Sequence, residues 1–281
     1  MTFRNLLVPL DGSESDVRSL EAALAVARLG QSRIVACYAA PDPDELATAC
    51  VGDGIGIYLS NDMMKSLEQR IGRQQEVARA HFDAWKDKAA QVGTEVEMIV
   101  ENGAAADLLR EQGLFTDLIV TPLPGGDKLG DTMLLEAGLF DTCRPVLAVP
   151  AEGVTVFDPK APIVIAWNGR AEAARALTTT LPVLRHAQGD IVLAAIGRNS
   201  KSVGTEAAVA YLEQHGVKAR GLVIPDRPES TGAILLGEAK QLGAGLVVMG
   251  AYTHSRLREM VLGGVTNYVI HNARLPVIFV H

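Results

Sequence analysis

The chain has 281 residues, 48% hydrophobic and 21% charged, with a formal net charge of −7. At roughly 150 residues per domain this suggests two domains, each apolar enough to bury a core. The acidic balance argues against a protein that coats nucleic acid, and no apolar run approaches the ~20 residues of a membrane helix.

Met1-Thr2-Phe3-Arg4-Asn5 leads straight into an apolar run at 5–10, without a signal-peptide pattern. Further short runs, rich in Val and Ile, follow at 33–39, 94–100, 117–121 and 145–149. A second set stands at 163–167, 190–196, 218–224, 245–249 and 276–280. Continuous runs of this length suit strands buried on both faces of a parallel sheet. The segments between them have helical spacing, as in Leu20, Leu24 and Ala27, or Ala173, Leu177, Leu181 and Leu184. Ser230 is the expected N-cap of one helix, and a long helix is expected over about 62–91. The Pro- and Gly-rich stretch at 41–56 before it reads as an inserted surface loop. Alternating strands and helices predict a doubly wound sheet with right-handed crossovers. Ligands of such sheets bind beyond the carboxyl ends of the strands, at the switch point.

The chain repeats itself. Leu7-Val8-Pro9-Leu10-Asp11-Gly12-Ser13 is echoed 157 residues later by Val164-Ile165-Ala166-Trp167-Asn168-Gly169-Arg170. Arg144-Pro145-Val146-Leu147 is echoed by Leu275-Pro276-Val277-Ile278 around the shared Pro-Val. Two related α/β domains are therefore expected, 1–150 and 161–281, joined by a short linker. Their net charges are −10 for 1–150 and +3 for 151–281, so an anion would prefer the second. Cys37, Cys50 and Cys143 are odd in number and lack CxxC spacing. They read as buried or inert thiols and fit a reducing cytoplasm.

The loop after the fourth strand of the second half runs from Gly250 through Arg256 and Arg258 to Gly263-Gly264-Val265-Thr266, where a helix over about 264–272 should begin. Glycines there let backbone N–H groups approach an anion, and the helix N-terminus adds partial positive charge. Read as chemistry, this is a phosphate site; read blandly, it is a helix start that needs tight turns.

These residues resemble the universal stress protein family in its tandem two-domain form. Its nucleotide-binding members carry Gly-x2-Gly-x9-Gly-(Ser/Thr) after strand four. Gly250 and Gly263 match the first and third positions; Thr253 and Gly264 depart from the second and fourth. The family's ribose-facing Asp corresponds to Asp11 in the first half and Asn168 in the second. The resemblance implies two tandem doubly wound five-stranded parallel-sheet domains, of the adenine nucleotide alpha hydrolase-like type. It also implies that their last strands pair antiparallel as a pseudo-dimer; a further homodimer is left open. It implies ATP in the second half, with Mg as its companion ion. Asn168 would then approach the ribose, and Ile196 would line the adenine pocket. Gly250, Thr253, Gly263, Gly264, Val265 and Thr266 would surround the phosphates.

The first half departs further. Its loop after strand four is three residues shorter and carries Pro122 and Pro124, which have no N–H, beside Asp127 and Asp131. Nucleotide is not expected there. No His pair has i,i+4 spacing, so no zinc site is expected, and no Gly-x-Ser-x-Gly elbow marks a nucleophile. The expected function is a cytoplasmic stress-response protein that binds an adenine nucleotide and is not an enzyme. The competing readings are a scaffold or regulatory module without nucleotide, and a slow ATPase.

Overall fold

The computed structural model describes residues 3–43, 60–124, 129–197, 204–251 and 264–281. The first half contributes β1 (Asn5–Leu10), α1 (Ser15–Ala27), β2 (Arg33–Ala40), α2 (Asn61–Gln91), β3 (Val96–Asn102), α3 (Ala105–Gly113), β4 (Leu118–Pro122), α4 (Leu129–Glu136), a π-helical turn (Ala137–Asp141) and β5 (Val146–Val149). The second half contributes β6 (Ile163–Ala166), α5 (Ala171–Thr179), α6 (Leu181–Leu184), β7 (Ile191–Ile196), α7 (Thr205–Gln214), β8 (Arg220–Ile224), α8 (Thr231–Gln241), β9 (Leu246–Gly250), α9 (Gly264–Asn272) and β10 (Val277–Val280).

All ten strands form one sheet, in the order β3-β2-β1-β4-β5-β10-β9-β6-β7-β8. Each half is a doubly wound parallel sheet whose order reverses between its first and fourth strands. The central pair is antiparallel: Val277 faces Ala148, Ile278 faces Leu147 and Phe279 faces Val146. Both strands are apolar and fully buried, so joining them removes two open edges from water. Two hydrophobic layers follow, one on each face, and each runs through both halves. One contains Leu6, Leu24, Ile165 and Leu177; the other contains Leu7, Ile119, Val164 and Phe279.

The connection between the halves is held down at several points. Val154 N–H donates to the Arg274 carbonyl at 2.9 Å, and Phe157 is buried. Ser230 Oγ accepts from Ala233 N–H at 3.2 Å, capping α8. Ser60 does the same for α2 through Met63 N–H. Cys37 is buried, and burial pushes its thiol up to about 12. Cys143 is exposed rather than buried, at a φ of 54° in the turn before β5. Cys50 and most of the 41–56 stretch lie outside the described residues, as does Asp127. Among the described residues no helix is long and apolar enough to cross a membrane.

Candidate functional site

The two halves build the same turn after their first strands and then treat it differently. Asp11 Oδ1 accepts from Ser13 N–H at 2.9 Å, and Asn168 Oδ1 accepts from Arg170 N–H at 3.0 Å. The following glycines are left-handed in both, with φ of 78° at Gly12 and 68° at Gly169. These side chains hold the chain at the carboxyl ends of β1 and β6, beside the switch points.

In the first half that end is covered. Helix α2 has 31 residues against 10 in α7, about 46 Å against about 15 Å at 1.5 Å per residue. Its extra turns reach over the β1–α1 loop. A Cβ on Gly12 would come within 2.4 Å of the Gln74 carbonyl oxygen. Tyr38 hydroxyl reaches the Ile71 carbonyl at 3.4 Å. Beneath the loop, the Asp16 carboxylate accepts from the N–H groups of Asp11 and Gly12, each at 3.0 Å, and faces His81 Nδ1 at 3.2 Å. Burial pushes this carboxyl up to about 6.

In the second half the equivalent place is open. A cavity of about 310 Å³ lies at the ends of β6, β7 and β9. That volume is at the lower bound of small-molecule pockets. Its floor is apolar, made by Ala166, Ala194, Ile196, Leu235 and Met249. Its rim is polar, with Asn168, Arg170, Glu172, Thr231 and Thr266. Trp167 is buried and lines one wall.

The N-terminus of α9 opens on this cavity. Gly264, Val265 and Thr266 line it, and no acidic residue stands in the first turn. Free N–H groups and the helix dipole favour an anion there. Glycine is required where β9 ends: a Cβ on Gly250 would lie 2.7–2.8 Å from the backbone carbonyl carbon and Cβ of Glu172. Gly232 similarly lets α8 approach Tyr268 of α9, where a Cβ would meet the Tyr268 Cβ at 2.8 Å and its ring at 3.0 Å. Just past β9 the chain is tied to the last strand. Ala251 N–H donates to the Val280 carbonyl at 2.8 Å, and His281 Nδ1 stands 3.3 Å from the Ala251 carbonyl.

Six expected site residues therefore meet around one cavity: Asn168, Ile196, Gly250, Gly264, Val265 and Thr266. Thr253 and Gly263 lie outside the described residues, as do Arg256 and Arg258. Sequence reasoning misses Arg170, Glu172, Thr231, Leu235 and Met249. Met249 carries a readable signal, since it stands at the carboxyl end of a central strand, where ligands of such sheets bind. Thr231 and Leu235 reach the site from α8, and no local motif points to them. Among the described residues no group of three or more His, Cys, Asp or Glu could hold a metal ion.

Residues 172–281 match the sequence profile of the universal stress protein family. The structure of a universal stress protein from Archaeoglobus fulgidus DSM 4304 is similar over 98% of this chain and 97% of its own, with a TM-score of 0.72 at 17% identity. A putative universal stress protein from Pseudomonas aeruginosa UCBPP-PA14 is similar over 99% and 93%, with a TM-score of 0.60 at 16% identity. A functionally unknown protein from Pseudomonas aeruginosa PAO1 is similar over 99% and 92%, with a TM-score of 0.59 at 15% identity. No curated protein matches the chain.

Proposed function

From a chain whose residues 172–281 form a universal stress protein domain, and whose two halves share that fold, we propose a stress-related protein that binds an adenine nucleotide in its second half. One observation carries the reading: the cavity joins an apolar floor to the open N-terminus of α9. A flat heteroaromatic base suits the floor beside Ile196 and Ala194. A phosphate suits the N–H groups at Gly264 and Val265. Asn168 keeps its amide N–H₂ for a ribose hydroxyl while its oxygen holds the turn. The nucleotide we propose is ATP, accompanied by Mg.

The first half serves as a covered partner. The approach of Gln74 to Gly12 supports a domain without nucleotide there. The second half acts by binding: donors at a helix N-terminus stabilise phosphate charge in ground and transition states alike, and such uniform binding does not accelerate hydrolysis.

Calorimetric titration with ATP and AMP tests the proposal, together with the nucleotide released when purified protein is denatured. The expected result is one site per chain, weakened by Asn168→Ala and by Ile196→Asp. No released nucleotide and no saturable binding would favour the scaffold reading instead.

A further inference from the structure

One wall of the cavity carries a carboxylate with one oxygen that its surroundings leave unsatisfied. Glu172 stands in the first turn of α5, with its backbone and Cβ against Gly250. It lines the cavity, and its Oε2 is enclosed without a hydrogen-bond partner, from the neighbouring Arg170 or any other described residue. The repeat puts Ser15 at the corresponding place in the first half, where the hydroxyl meets Ser13 Oγ at 2.6 Å. The second half thus carries a charged acceptor where the first carries a small, satisfied hydroxyl. Enclosed acceptors without a donor are costly and rare, and those in ligand cavities are candidates for completion by the ligand.

We propose that Glu172 is a specificity-determining residue of this cavity. Its negative charge at the wall favours a hydrogen-bond donor on the nucleoside part of the ligand and disfavours added phosphate charge. The inference rests on the nucleotide reading above and refines it. A ribose hydroxyl or an exocyclic amine presents a positive dipole to that charge. A phosphate oxygen brings only lone pairs and like charge. Nucleosides and monophosphates are therefore favoured over uncomplexed triphosphate, and ATP enters as its divalent-cation complex, in which the metal offsets the charge.

The test is calorimetry on the full chain, with adenosine and with ATP in EDTA, for the parent and Glu172→Gln. Glutamine keeps the size and removes the charge, and neutral adenosine controls for the changed hydrogen bond. The expected result is that Glu172→Gln tightens ATP about tenfold relative to adenosine. Equal shifts for both ligands, or none, overturn the role of Glu172 and leave the nucleotide reading standing. Failure of the parent to bind either ligand overturns both. Where circular dichroism shows Glu172→Gln unfolded, Glu172→Ser takes its place with the same expected shift.

Discussion

The carbonyl oxygen of Gln74 lies where a Cβ on Gly12 would come within 2.4 Å of it, so α2 rests directly on the backbone of the β1–α1 loop. Gly12 is also left-handed, at a φ of 78°. Gly12→Ala meets both obstacles and should destabilise by about 2–4 kcal/mol, measured by urea unfolding. Gly93→Ala is the control: φ is 72° and nothing lies within 4 Å, so only the backbone cost of about 1 kcal/mol remains. Equal losses for the two variants would show that the α2 contact carries no weight.

The buried carboxyl beneath that loop predicts a pH dependence. Asp16 is 2% exposed. Burial raises its carboxyl from 3.8 to about 6, and the charge of Asp11 adds to the rise; the N–H groups of Asp11 and Gly12 and the His81 ring oppose it. The folded carboxyl holds its proton more tightly than the unfolded one. This contribution to stability is fully present below about pH 3.8 and is lost as pH rises through about 6. Asp16→Asn lacks it, so the variant should gain on the parent by up to about 3 kcal/mol between acid and neutral pH. Tyr38, Asp11 and His81 face the same group and stay in place as an internal control. Parallel stability profiles for parent and variant would refute the assignment.

The antiparallel seam should make the two halves unfold together. Phe279 is fully buried opposite Val146, in the strand pair that joins them. Phe279→Ala should cost about 3–5 kcal/mol. Circular dichroism and Trp fluorescence should follow a single transition, because Trp85 and Trp167 belong to opposite halves of the chain and to one hydrophobic layer. Two resolved transitions in the parent would show that the seam does not couple the halves.

Nucleotide turnover should be slow. The proposed site offers binding groups, and acceleration would require a base or metal ligand that acts more strongly on the transition state. Steady-state hydrolysis of ATP should therefore fall far below the ~10 s⁻¹ typical of enzymes. Turnover at that level, abolished by Glu172→Gln or Asn168→Ala, would make the protein an enzyme.

Much of the architecture is legible in the residues. Short runs of Val and Ile mark all ten strands to within about two residues, because strands buried on both faces must be apolar throughout. The helix expected at 264–272 is Gly264–Asn272, and Ser230 caps where a Ser before a helical run should. The antiparallel pairing of the last strands follows what the resemblance implies, and two apolar edges that need cover give its physical reason. The site is legible as far as strand ends and glycines reach, through Asn168, Ile196, Gly250 and Gly264.

What the sequence determines by itself is therefore what local periodicity and repetition encode: the strands, their two sets and the loops at their carboxyl ends. Only the tertiary structure decides which of two similar ends is open. Nothing local in Gln74 or Gly12 says that they touch, because 62 residues separate them and the contact is between backbones. Nothing local in Glu172 says that its carboxylate is enclosed at a cavity wall, because that follows from where β9 ends beside α5. Helix length covers one switch point and leaves the other free. That outcome depends on how far α2 and α7 project past the sheet, which packing in three dimensions sets and residue identity alone does not.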